Sequence, residues 1–129
     1  MSWLSLLLVT KIGITGLLVA APFLFLPKTM LEKVTSITAQ TSALFRLYGV
    51  AIVALLVGYA FGIPVAENGQ FPWGVVTMGT VSNGGAALLL LAFSQGNKLN
   101  RLSAAFFGLI ALGLVVAMIL PSSAVQQAW

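Results

Sequence analysis

Four apolar stretches, each about as long as a bilayer crossing, leave this chain little room for anything else. A hydrocarbon core about 30 Å thick is crossed by about 20 helical residues. Stretches at about 3–26, 43–63, 73–93 and 102–120 all meet that length. Of the 129 residues, 60% are apolar and only 6% are charged, whereas a soluble domain carries about a quarter charged residues. So few charges cannot cover the surface of a small soluble domain, which places the chain in the integral membrane class. The expected fold is all-α: a four-helix membrane bundle of antiparallel up-down topology, forming one domain over 1–129.

The same scarcity excludes much chemistry. The chain has no Cys, no His and no Asp, and its only carboxylates are Glu32 and Glu67. Disulfides, thiolate or imidazole metal sites and iron–sulfur clusters are therefore excluded within one chain. Ser-His-Asp and Cys-His catalysis are excluded as well. No metal and no cofactor are expected. General acid–base work would fall to Lys11 or a Tyr, so an enzyme is not the expected function.

Each predicted helix has a chemical start or stop. Pro27 and Lys28 end the first, because Pro cannot continue the hydrogen-bond ladder and Lys prefers the headgroup layer. Ser42 is a suitable N-cap for the second, which ends before Pro64. Glu67, Asn68 and Gly69 suit a polar turn, and Pro72 with Trp73 opens the third helix at the interface. Gly96 and Asn97 follow its end, Asn100 can cap the fourth, and Pro121 stops it. In the 27–42 connection, Met30, Leu31, Val34 and Ile37 fit one face of a short interfacial helix; an ordinary polar loop fits equally well.

Lys and Arg mark cytoplasmic loops. Lys28 and Lys33 lie in the first connection, with Arg46 at the edge of the second helix. Lys98 and Arg101 lie in the third connection, and the second connection has neither residue type. Connections 27–42 and 94–101 are then cytoplasmic and both termini lie outside, in the periplasm of a bacterial inner-membrane protein. A cleaved signal peptide is disfavoured: no Lys or Arg precedes the first apolar run, Lys11 interrupts it, and Pro22 follows its small-residue site. The cations serve topology and contact with anionic lipid, and nucleic acid is not an expected partner.

Within the apolar spans, a few residues stand out. Lys11 lies about 12 Å into the first helix at 1.5 Å per residue, and an ionisable group at that depth is a functional candidate. Snorkelling of its long stem is the plain alternative. Thr15 and Leu18 fall on its face at i+4 and i+7. On the third helix Asn83 shares a face with Thr80, and a buried amide needs an interhelical partner or a ligand. Lys11, Thr15, Thr80 and Asn83 converging between the first and third helices would satisfy all four, as interhelical contacts or as the floor of a pocket opening outward. Tyr48, Ile52, Leu55 and Tyr59 form one stripe of the second helix; belt anchoring explains both tyrosines, and Tyr59 can also cap a pocket around Lys11. Arg46 and Arg101 are candidates for anionic lipid contact. Ala54, Gly58 and Gly62 form a small-residue face for helix packing or self-association. Glu67 reads as a solvated loop residue or, if its loop folds inward, as a counter-ion to Lys11.

The size, the four spans and the segment Arg46-Leu47-Tyr48-Gly49, a cation leading a helix with a following Gly, resemble the DoxX-like group of small bacterial four-helix inner-membrane proteins. The resemblance implies the fold more than an activity. Lys11 ahead of Gly13 and Gly16 departs from its pattern, and no site is carried over.

Three functions fit these residues. The first is a structural or accessory subunit that packs against itself as a homo-oligomer, or into a larger membrane complex. The second is a binding protein for a lipid, a quinone or another lipophilic small molecule in an outer-leaflet pocket anchored by Lys11 and Asn83. The third is an oligomeric transporter or channel protomer, since one chain has too few polar groups to line a pore.

Overall fold

The computed structural model describes residues 1–93 and 96–127. The chain is 83% helical with no strands among the described residues, and four of its helical stretches are long and apolar enough to span a membrane. They are Trp3–Phe25, Ser42–Glu67, Trp73–Ala92 and Lys98–Ile119. Ser94 and Gln95, at the start of the 94–101 connection, lie outside the described residues.

The first span is not one regular helix. It consists of α1 (Trp3–Thr15), a π-helical turn (Gly16–Ala20) and α2 (Ala21–Phe25). Pro22 supplies the reason. Its ring carries no N–H and crowds the carbonyl of Leu18, and the widened turn before it relieves that clash. The insertion shifts the buried stripe. Leu4, Leu8, Lys11 and Thr15 are buried at helical spacing, and the next buried residue is Ala20, five positions on. Leu18, expected on the face of Lys11, is exposed instead.

The remaining elements are α3 (Lys28–Thr35), α4 (Ser42–Glu67), α5 (Trp73–Ala92), α6 (Lys98–Ile119) and α7 (Pro121–Val125). In the 27–42 connection the helix forms, with Leu31 packed on Phe45, Ala39, Phe23 and Leu26, while Met30, Val34 and Ile37 stay exposed. Pro64 does not end α4, which continues to Glu67. The turn after Pro64 keeps its bonds, Asn68 N to Pro64 O at 3.1 Å and Gln70 N to Val65 O at 3.1 Å. The N-cap of α4 is Thr41, not Ser42. Asn97, not Asn100, caps α6, its side chain accepting from the Leu99 amide at 2.9 Å.

Helices α5 and α6 are the most extensively paired elements. Small residues make the approach possible: a Cβ on Gly79 would lie 2.7 Å from Leu114, one on Gly108 3.8 Å from Ala87, and one on Gly84 4.0 Å from Ala111. Such seams let helices pack closely where lipid removes the hydrophobic drive.

The short segment Arg46-Leu47-Tyr48-Gly49 docks the end of the first span. Arg46 donates through Nη1 to Phe23 O and through Nη2 to Leu26 O, both at 2.8 Å. In a continuing helix Phe23 O would accept from residue 27, but Pro27 has no N–H to give. Arg46 fills that vacancy with a cation at the negative end of the helix. Tyr48 rests on Phe23 with ring centroids 4.9 Å apart, and Gly49 admits Leu24, whose side chain would lie 2.9 Å from an added Cβ. Arg46 is also a candidate for lipid headgroup contact; these two of its donors are turned into the protein. Arg46→Ala is expected to destabilise the fold by about 2–4 kcal/mol, since each bond to a charged donor contributes about 1.5–3 kcal/mol and water replaces part of it at this half-buried site. Thermal unfolding followed by circular dichroism measures the loss. A shift indistinguishable from zero would show that the bidentate grip is not held in solution.

At the opposite end of the bundle the N-terminus and Gln127 meet Glu67. Its carboxylate accepts from the Ser2 amide at 2.9 Å and the Ser2 hydroxyl at 3.3 Å, and lies 3.8 Å from the N-terminal amine. Gln127 bridges to Ser2 and donates to Glu67 O at 3.5 Å. Glu67 is thus engaged by the N-terminus and is not the counter-ion of Lys11. Below this clasp Leu4, Leu8, Tyr59, Val76, Leu114, Ala117 and Ala124 form the apolar core.

Candidate functional site

A cavity of about 350 Å³ lies beneath that core, walled by α1, α4, α5 and α6. Of the five residues singled out from sequence as ligand-binding candidates, four line it: Lys11, Thr15, Tyr59 and Asn83. Thr80 does not. The buried stripe of α5 runs through Val76, Gly79, Asn83 and Ala87, and Thr80 sits beside it, bonded to Val76 O at 2.9 Å and lying 3.8 Å from the Met118 sulfur. The whole stripe Tyr48, Ile52, Leu55 and Tyr59 forms one wall.

The polar groups divide into those already engaged and those still open. Asn83 Nδ2 donates to Gly79 O at 2.7 Å and to Tyr59 Oη at 2.9 Å. Since Tyr59 Oη accepts there, its own proton points to Ser82 Oγ, 3.1 Å away, and Ser82 Oγ donates to Gly79 O at 3.2 Å. The circuit leaves Gly79 and returns to it, spending both Asn83 donors and the Tyr59 proton on holding α4 against α5. Tyr59→Phe removes the link and leaves an Asn83 N–H without an acceptor. It is expected to cost about 1–3 kcal/mol, read from the unfolding midpoint, whereas no change would mean that the circuit is not formed.

Lys11 and Thr15 are the open groups. Lys11 is 4% exposed and makes no hydrogen bond or ion pair among the described residues. Its Nζ lies over the Phe107 ring, 4.4 Å from the centroid, with Phe106 at 5.6 Å. Such cation–π contact contributes about 2 kcal/mol when desolvated, less than a buried ammonium loses on leaving water. Snorkelling does not describe this side chain, which is directed among rings. The Thr15 hydroxyl is buried without a hydrogen-bond partner among the described residues. Both stand on the wall of one cavity, so the site presents three ammonium donors and one hydroxyl to whatever fills it.

The cavity lining runs along α4 from Tyr59 to Tyr48, about 16 Å at 1.5 Å per residue, and ends at Tyr48, Ala51 and Leu89, which are exposed on the flank between α4 and α5. The sequence missed Ser82, Phe107 and Leu89. A Ser beside Asn and one Phe among eight carry no signal until the helices are placed.

The remaining candidates are dispersed. A Cβ on Gly62 would lie 2.9 Å from Val75 and 3.3 Å from Leu8, and one on Gly58 3.1 Å from Met78, so both glycines pack within the chain. Ala54 is exposed on the outside of α4, and Arg101 is exposed at the start of α6. No group of three or more His, Cys, Asp or Glu able to hold a metal ion exists among the described residues. No family model, curated protein or solved structure matches this chain.

Proposed function

We propose that this protein binds a lipophilic small molecule in an intramembrane cavity. One observation carries the reading: two buried polar side chains, Lys11 and Thr15, have no hydrogen-bond partner among the described residues and line the same cavity of about 350 Å³. Among the described residues the other buried polar side chains are engaged, and an idle buried donor costs free energy. The volume lies at the small end of ligand sites, and the mixture of an apolar wall with few convergent polar groups is their usual anatomy.

The accessory-subunit reading draws less support, because Gly58 and Gly62 are occupied by Met78, Val75 and Leu8 of the same chain. Within the binding reading, the spans alternate in direction and Lys28, Lys33, Lys98 and Arg101 lie on the cytoplasmic side of a bacterial inner membrane. The termini and the Glu67 clasp then face outward, and the cavity extends from mid-membrane into the inner half rather than lying in an outer-leaflet pocket.

The test is organic extraction of protein purified in a mild detergent, followed by mass spectrometry. Wild type is expected to release a defined small molecule near one per chain, and Lys11→Met to release none. Equal yields from the two proteins would refute the reading.

A further inference from the structure

We infer that the occupant of this cavity is a single-chain lipophile bearing one carboxylate, its head on Lys11 and Thr15 and its tail directed to the flank between α4 and α5. This deepens the binding reading above and rests on it.

Charge fixes the head. The groups that line the cavity with Lys11 are Thr15 from α1, Tyr48 and Tyr59 from α4, Ser82 and Asn83 from α5, and Phe107 from α6. None carries a negative charge, and Glu67 is held by the N-terminus. An ammonium buried without a counter-charge is costly, and a hydrogen-bonded counter-charge offsets much of that cost. One cation calls for one negative charge: a neutral carbonyl leaves the ammonium uncompensated, and a dianionic phosphate brings surplus charge into a low dielectric. The donor set agrees. Lys11 Nζ and Thr15 Oγ1 can each serve one carboxylate oxygen, while the protons of Asn83 Nδ2 and Tyr59 Oη are already committed.

Shape fixes the tail. Beyond the polar floor the lining is Ile52, Leu55 and Leu56. It leads to Tyr48 at 47% and Leu89 at 60% exposure, apolar surface that a bilayer would cover. Helices α4 and α5 touch far less than α5 and α6 do, so the cavity mouth faces hydrocarbon, not water. A lipophile reaches it sideways from the membrane. The volume is of the size that one alkyl chain fills.

Dodecanoate and dodecanol, which share a tail and differ in the head, are the probes. Purified protein is equilibrated with each in a nonionic detergent, and retention is read by native mass spectrometry. Wild type is expected to retain one dodecanoate and no dodecanol. Lys11→Met should lower dodecanoate affinity about tenfold to a hundredfold, the loss of a charge-assisted contact. Ala51→Phe narrows the mouth without touching the polar floor and should block retention even though Lys11 is intact, which guards against a misfolded Lys11 variant. Equal retention of dodecanol overturns the carboxylate head and leaves the binding reading standing; undiminished dodecanoate on Lys11→Met overturns the carboxylate head as well. Wild type that retains neither probe also overturns it, and if organic extracts of wild type are empty too, the binding reading falls with it.

Discussion

Lys11→Met is expected to yield a protein that unfolds at a higher temperature than wild type yet leaves the membrane without its bound molecule. Charged groups deep in a helix cost about 2.5–3.5 kcal/mol on insertion scales. The ring of Phe107, 4.4 Å from Nζ, returns about 2 kcal/mol. Methionine is of similar length, stays apolar and makes favourable contacts with aromatic rings. The ligand-free variant should therefore gain about 1 kcal/mol, a rise of a few degrees in the unfolding midpoint for a chain of this size. Opposite signs for stability and binding are the signature of a group retained for function. Thermal unfolding in detergent, on protein stripped of small molecules, reads the first effect. A fall of several degrees would show that Lys11 is a structural partner of some group, and that its amine is not available to a ligand.

Gly79→Leu is expected to prevent the bundle from assembling, and Gly79→Ala to cost about 1–3 kcal/mol through overpacking. A Cβ at this position would lie 2.7 Å from Leu114 Cδ1, 2.8 Å from Tyr59 Cε1 and 3.0 Å from Tyr59 Oη. Three helices meet there, and the Gly79 carbonyl receives both Asn83 and Ser82. Any displacement of Tyr59 also opens the circuit that holds α4 against α5. Gly13, which has no neighbour within 4 Å of an added Cβ, is the control: Gly13→Ala should be neutral or should stabilise by up to about 1 kcal/mol through helix propensity. Yield of monodisperse protein and the unfolding midpoint distinguish the two positions. If Gly79→Leu folds normally, the close approach of α4, α5 and α6 is not as described.

How much of this was legible beforehand depends on what each feature needs. The four spans follow from length and apolarity alone, which one sequence displays in full. The wall Tyr48, Ile52, Leu55 and Tyr59 was legible because a stripe needs only helical periodicity, and the grouping of Lys11, Thr15 and Asn83, with Tyr59 as a cap, followed from depth and the cost of buried polar groups. Thr80 was misplaced because rotation about the helix axis is loosely set in a uniformly apolar segment; it faces Met118 of α6. Leu18 left the face of Lys11 because one π turn adds a residue, and the Pro22 that causes it signals a kink without its form. Arg46 was read by its charge, but its partners are carbonyls orphaned by Pro27 at the end of another helix. The clasp of Glu67 with Ser2 joins residues 65 apart in sequence, and no local rule connects them.

The most direct test of the binding site is a density map of the protein crystallised from native lipid. Density belonging to neither protein nor water is expected in the cavity between α1, α4, α5 and α6, with polar atoms within hydrogen-bond distance of Lys11 Nζ and Thr15 Oγ1. A cavity filled by the protein's own side chains, or a Lys11 amine turned out to an acidic group or to the headgroup layer, would contradict it.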